Sequence, residues 1–299
     1  MPDKTREVII IGGSIAGLSA ALTLGRALRN TLVIDCGQPC NRTAPRSHNF
    51  ITNDGHKPAD IIARTKKEIE RYETVSLIDD RVIQAYKTDG IFHVRTESGK
   101  DFKSHKVLLC TGLTDVLPEI EGFSDCWGIS ILHCPYCHGY EVKGDKTAIL
   151  ANGEAAFNNA MLIYNWTKDL TVLTNGVSQL RQEEAEELDR LGVRIIETEI
   201  SELAHVNGKL ETIHFADQTN IEAAVMYATV PFEQQSNLGE KLGCQLTPKG
   251  HINVDELGRT SIDGVYAAGD NTAEHRAISV ASASGTVAGF TINSDHILK

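Results

Sequence analysis

The apolar positions of this chain fall into short blocks separated by glycine turns and amphipathic stretches. Val8–Ile11 is an unbroken run of the kind that forms a strand buried on both faces. It turns through Gly12 and Gly13 and continues as "SIAGLSAALTLGRAL", a helical segment with small residues on one side. The next strand, "NTLVID", ends at Asp35, 23 residues after Gly12. Two later apolar strands end in a similar way: "VLLCTG" delivers Thr111 and Gly112, and "GVYAAGD" delivers Gly269 and Asp270. Between them "KTAILANGEAAFNNAMLIYNW" repeats the strand–turn–helix theme, and the strand "LTVL" follows it. The charged run "RQEEAEELDR" (181–190) reads as the solvated face of a helix. Strands alternating with helices predict an α/β chain with parallel sheets.

The first unit has a chemical meaning. A strand, a tight glycine turn and a helix N-terminus present free backbone amides to a pyrophosphate, and a carboxylate at the end of the following strand accepts from a ribose hydroxyl. Gly12, Gly13, Ala16, Gly17 and Asp35 stand at those places, with Ser14 where the middle glycine usually falls. Taken alone, this fingerprint also fits a tight strand–helix turn in an unrelated sheet.

Composition narrows the classes. The 299 residues are 41% hydrophobic and 23% charged, enough for two domains, each with a core. A formal net charge of −11 argues against a nucleic-acid partner, whose phosphates would be repelled. Val8 to Gly25 carries no charge and follows Lys4 and Arg6, which imitates a secretory signal, but "GGSIAG" interrupts it. The expectation is therefore a cytoplasmic protein with no membrane span.

Seven cysteines are scattered along the chain, and in a reducing compartment most would pack as small hydrophobes. Cys36 and Cys40 lie in a Gly- and Pro-containing loop. Cys134 and Cys137, in "HCPYCHG", have spacing that demands an explanation. Residues i and i+3 of one helical turn reach disulfide distance, and Pro135 suits the first helical position, which puts Cys134 at the N-cap. A thiolate there is stabilised, and His133 and His138 flank the pair as candidate proton carriers. Zinc is a poorer reading, because the four adjacent residues 133, 134, 137 and 138 do not readily close a tetrahedron. The pattern also matches a c-type haem attachment site, which needs export, and two unreactive structural thiols remain a third reading.

The segments around Gly12, Thr111 and Asp270 together resemble flavoprotein disulfide reductases with two dinucleotide domains. The placing of Cys134-Pro135-Tyr136-Cys137 between the second and third segments is similar to the low-molecular-weight thioredoxin reductases. The resemblance implies two doubly wound, Rossmann-like, three-layer domains, the second inserted in the first: residues 1–115 plus 247–299 for FAD, and 116–246 for the redox pair. It implies FAD held at Gly12, Gly13, Ser14, Ala16, Gly17 and Asp35, with Thr111, Gly112, Gly269 and Asp270 completing the site and Asp270 on the ribityl chain. It further implies that Cys137 faces the flavin, that Cys134 meets the substrate, and that the protein is a homodimer. The final helix points at the flavin in this family and usually begins Arg-Gln; Arg276 fits and Ala277 departs. Asn41 and Arg42, on the loop after Asp35, are further cofactor-side candidates.

"CPYCHGYE" has His138 where thioredoxin reductases carry an acid, which looks more like relatives that oxidise small dithiols, such as the gliotoxin and holomycin oxidases. The second nucleotide turn reads Ala151-Asn152-Gly153, without its leading glycine, and Thr174-Asn175-Gly176 replaces the arginines that hold the 2′-phosphate in the family. Arg181 is the one nearby substitute. NADPH is therefore not expected. The preferred reading is an FAD-dependent dithiol oxidase acting on a small dithiol or disulfide or a thioredoxin-like protein. Alternatives are a thioredoxin reductase fed by NADPH or another carrier such as ferredoxin, and a non-catalytic flavin redox sensor.

Overall fold

The computed structural model describes residues 5–298, so Lys4 and the outermost ends of the expected first domain lie outside the described residues. The chain divides into two compact units. The first comprises Met1–Arg42, Pro58–Thr114 and Phe232–Lys299; the second comprises Thr43–Lys57 and Asp115–Pro231.

The first unit begins β1 (Arg6–Ile11), α1 (Ile15–Arg26), β2 (Thr31–Asp35), α2 (Pro58–Ile69) and β3 (Val75–Asp79). A hairpin of β4 (Val82–Thr88) and β5 (Ile91–Thr96) leads into β6 (Asp101–Leu109). The sheet order is β3-β2-β1-β6-β5-β4, parallel from β3 to β6 and antiparallel in the hairpin. Alternate residues of β1 enter opposite cores: Val8 and Ile10 pack with Leu18, Leu24 and Val33, while Ile9 and Ile11 pack with Leu32, Phe92 and Leu109. That is why the run has no polar position. Full burial of each such side chain is worth about 1.5–3 kcal/mol.

The chain passes into the second unit along β7 (Leu113–Asp115). There follow α3 (Phe123–Cys126), β8 (Ile131–Leu132), α4 (Pro135–His138), β9 (Thr147–Leu150), α5 (Gly153–Ile163), β10 (Leu170–Leu173), α6 (Gln182–Arg190) and β11 (Arg194–Ile196). An antiparallel meander, β12 (Ile200–Val206), β13 (Lys209–Phe215) and β14 (Asn220–Glu222), precedes β15 (Val225–Ala228). The parallel sheet runs β11-β10-β9-β15-β8. Ala156, Ala160 and Leu188 from α5 and α6 cover one face. Leu203, Leu210, Ile213 and Phe215 from the meander cover the other. The expected three layers are present, and the third is a β-sheet rather than a second set of helices. In α6 the glutamates face outward except Glu184, which is buried beside Leu188.

The chain returns through β16 (Phe232–Gln234), α7 (Leu238–Lys241), β17 (Val265–Ala267) and α8 (Ile278–Leu298). β17 pairs with the end of β6. α8 crosses α1 at close range, because Gly285 and Gly289 leave no side chain between the helices. A Cβ at Gly285 would meet the Ala16 carbonyl oxygen at 2.0 Å, and one at Gly289 the Thr23 Cβ at 2.8 Å. Against the boundaries expected from sequence, residues 232–246 belong with the first unit, where Leu238 and Cys244 fill its core. Residues 43–57 belong with the second unit, where Thr43 lies against Gly128. No helix among the described residues is long and apolar enough to cross a membrane.

Candidate active site

A cleft of about 870 Å³, open solvent included, lies at the C-terminal ends of the parallel strands of the first unit, where doubly wound sheets bind their ligands. Gly12, with φ +106°, makes the turn at the end of β1. A Cβ there would sit 2.1 Å from the Cys110 carbonyl oxygen. Gly17 brings the start of α1 onto that turn, since its Cβ would overlap the Gly12 carbonyl oxygen at 1.9 Å. The Gly13 amide donates to Asp35 Oδ1 at 3.0 Å, and Lys66 Nζ stands 3.5 Å from Asp35 Oδ2. Ser14 is the N-cap of α1 in extended conformation and makes no side-chain cap, leaving the first-turn amides for an anion in the cleft.

Ser14, Ala16, Thr111, Gly112, Gly269 and Asp270 line the cleft with Gly12 and Asp35. Gly13 and Gly17 stand behind this lining and shape it. Asn271 ties the far wall by donating to the Leu109 carbonyl at 2.9 Å, and its buried Oδ1 has no protein donor. Asp270 accepts from the Cys40 thiol at 3.4 Å, and Arg276 Nε approaches the same oxygen at 4.0 Å. Burial first, and the Asp270 charge second, push the Cys40 thiol up to about 11, so it stays protonated and donates. Asn41, Arg42 and Ala277 lie outside the lining; Arg42 is turned to the Pro39 carbonyl of its own loop.

Sequence reasoning missed Asp80, Arg81, Gln38, Gln235 and Ser236, which also line the cleft. Gln235 reaches the Gln38 carbonyl at 3.0 Å and bridges two distant segments. Asp80 and Arg81 follow directly on β3, and the strand-end rule that singles out Asp35 could have found them.

The second unit carries the cysteine pair. Cys134 is the N-cap of α4 (φ −122°, ψ 114°) with Pro135 at the first helical position, as expected from the spacing. Both thiols are free. Cys134 is lowered to about 7, first because the Cys137 thiol donates to it and then because the Cys137 and Tyr136 amides do. Cys137 is pushed up by the same hydrogen bond and by burial. The expected thiolate is therefore made by three local donors, since a four-residue helix supplies little dipole of its own.

His138 is half-buried and His133 exposed. Burial, then the neighbouring His48, lowers His138 below the ordinary imidazole value, while Glu141 acts the other way. Tyr227 on β15 is buried, and desolvation followed by the Cys134 and Glu141 charges raises its phenol, which stays protonated. Tyr227 was not singled out from the sequence as a member of this site, whereas His48 lies on the loop that the resemblance to dithiol oxidases brings towards it.

The second nucleotide turn is filled by its own side chain. Asn152 caps α5, its Oδ1 accepting from Gly153 N and Gln179 N, both at 2.8 Å. Its Nδ2 donates to Val177 O at 2.9 Å. Arg181 is held by Glu184 in a capping box, with Nη2 2.6 Å from Oε1. Among the described residues, no group of three or more His, Cys, Asp or Glu side chains is arranged to hold a metal.

A parallel-sheet domain with an open glycine-turn cleft, joined in sequence to a second nucleotide fold bearing a Cys-x-x-Cys turn, defines a disulfide oxidoreductase of the two-nucleotide-fold class. Residues 6–285 match the pyridine nucleotide-disulphide oxidoreductase family. The chain belongs to that family and is an FAD-dependent disulfide oxidoreductase. It is 32% identical to the thioredoxin reductase tcpT of Claviceps purpurea, over 95% of this chain and 92% of the relative. It is similar to the solved structure of an oxidoreductase from Agrobacterium tumefaciens, with a TM-score of 0.92, 35% identity, and coverage of 98% of this chain and 99% of the other. The protein HlmI superposes with a TM-score of 0.91 at 28% identity, covering 98% and 93%. The resemblance to thioredoxin reductase-like enzymes is thus borne out.

Proposed function

We propose that this chain oxidises dithiols to disulfides through Cys134 and Cys137, using bound FAD and no nicotinamide donor. The cleft fits the cofactor: the uncapped first turn of α1 suits the pyrophosphate, Asp35 the adenosine ribose, and Asp270 the ribityl chain. FAD supplies a two-electron acceptor that can be reoxidised by an external acceptor such as oxygen.

This chain's residues handle the sulfur chemistry. A substrate thiolate attacks Cys134 of the Cys134–Cys137 disulfide, forming a mixed disulfide and releasing Cys137 as thiolate. The second substrate thiol attacks its own sulfur in the mixed disulfide, so the substrate leaves oxidised and Cys134 is expelled. One of the two protons released by the substrate stays on Cys137; His138, neutral near pH 7, accepts the other. The reduced pair would then give its two electrons to the bound flavin and its protons to solvent, and is again a disulfide.

The observation carrying the NADPH-independent reading is Asn152. Its carboxamide uses the Gly153 amide that a phosphate would need and ties residues 177–179 over the start of α5. Arg181, the one candidate for a 2′-phosphate, is neutralised by Glu184. Anaerobic mixing tests this: a dithiol such as dithiothreitol should bleach the flavin while NADPH and NADH leave it yellow. Rapid bleaching by NADPH would instead favour a thioredoxin reductase, the reading that the similarity to tcpT supports. The proposal includes a homodimer, which the family resemblance supports, and a reducing, cytoplasmic setting.

A further inference from the structure

The loop Ser47–His56 is a closed device rather than a slack surface segment. Ser47 N donates to the His56 carbonyl at 2.8 Å, and Gly55 N returns to the Ser47 carbonyl at 2.9 Å. Asp54 Oδ1 accepts from Asn49 N at 2.8 Å across the loop. The side chain that this closure delivers is His48, with only 14% of it exposed. Its Nδ1 lies 3.4 Å from Glu141 Oε1 and 3.6 Å from Asp54 Oδ1. Its ring meets that of His138 edge to face, with centroids 6.3 Å apart. Glu141 belongs to the same turn as the redox pair, for its amide donates to the His138 carbonyl at 3.1 Å.

We propose that His48, braced by Glu141 and Asp54, is a positioning residue that fixes the orientation and the proton-accepting state of His138 beside Cys134 and Cys137. With Nδ1 facing two carboxylates, a proton on that nitrogen is held in place, which sets how the ring stands against His138. Two imidazoles this close resist both being protonated, while the Glu141 carboxylate pulls the other way. The balance between them decides at what pH His138 is free to take a proton from a substrate thiol.

The ionisable groups facing this cluster are Glu141, Asp54, Cys134, Cys137 and Tyr227, and Lys143 is engaged over the Tyr140 ring at 3.8 Å. Glu141 from this set, together with His48 itself, acts on His138 through space. The inference rests on the redox reading of the cysteine pair, but it can be measured without turnover.

The test is an NMR titration of the His138 ring in the FAD-loaded protein, assigned by loss of its signal in His138→Gln. His48→Gln should move the His138 midpoint up by about half a pH unit, as charges roughly 6 Å apart in a watery dielectric require, and Glu141→Gln should move it down. The acid limb of dithiothreitol oxidation should follow in the same opposite directions. A purely structural role would lower the rate at every pH without splitting the two variants. Midpoints that stay put, or move together, overturn the proposal. If His48→Gln does not fold, the exposed Glu141 variant still decides by the sign of its shift. Absence of dithiol turnover in the unaltered protein would sink the proposed function instead, and leaves the titration result readable.

Discussion

Cys134 and Cys137 lie within hydrogen-bonding reach of each other, an arrangement that lowers the Cys134 thiol and raises that of Cys137. The local hydrogen bonds thus favour the thiolate on Cys134. Reduced protein treated with iodoacetamide between pH 5 and pH 9 should be labelled first at Cys134. The labelling rate should rise with pH through a midpoint near 7 and level off above it, as the thiolate fraction saturates. Peptide mass spectrometry reads the site, and a midpoint near the ordinary thiol value of 9 would count against the assignment.

His138→Gln should lower dithiol oxidation about 100-fold or more at pH 7, the usual contribution of a positioned base. Burial and His48 depress its imidazole, so the neutral, accepting form persists as pH falls through the usual value of 6.5. The unaltered enzyme should accordingly hold its rate down to that pH and lose it only below. Steady-state oxygen consumption across the range measures both effects.

Asn152→Ala removes an N-cap and two ties to the 177–179 loop together. Loss of a cap alone costs about 1 kcal/mol, and the freed loop adds to that. A fall in the urea midpoint should therefore appear with no gain of NADPH-driven flavin reduction, followed by absorbance under argon.

Gly17→Ala and Gly285→Ala test the cofactor cleft from its two sides. The added methyl would overlap the Gly12 carbonyl in the first and the Ala16 carbonyl in the second. Relief requires the turn or α8 to retreat, at roughly 1–3 kcal/mol or more. Both variants should purify with less flavin per protein, measured from the ratio of visible to ultraviolet absorbance.

What the sequence made legible was local. The run Val8–Ile11, the Gly12–Gly17 turn and Asp35 could be read because the turn geometry and the strand period fix which positions must be small, apolar or acidic. Cys134 at an N-cap followed by Pro135 could be read for the same reason. The approach of His48 to Glu141 could not, because it depends on how a loop 90 residues upstream closes and packs, and no spacing encodes that. The bridging of Gln235 to Gln38 is hidden likewise. The decayed nucleotide turn falls between these cases. Its missing glycine and arginines were visible, while the carboxamide that fills the gap became visible only with the loop in place.

The cleft draws its walls from segments about 270 residues apart: the Gly12 turn is backed through Ala16 by Gly285 of α8, and Asp270 stands opposite. The pocket therefore forms only when residues 269–285 dock against the turn that follows β1. A chain cut before Gly269 should accordingly be colourless however well its early helices form.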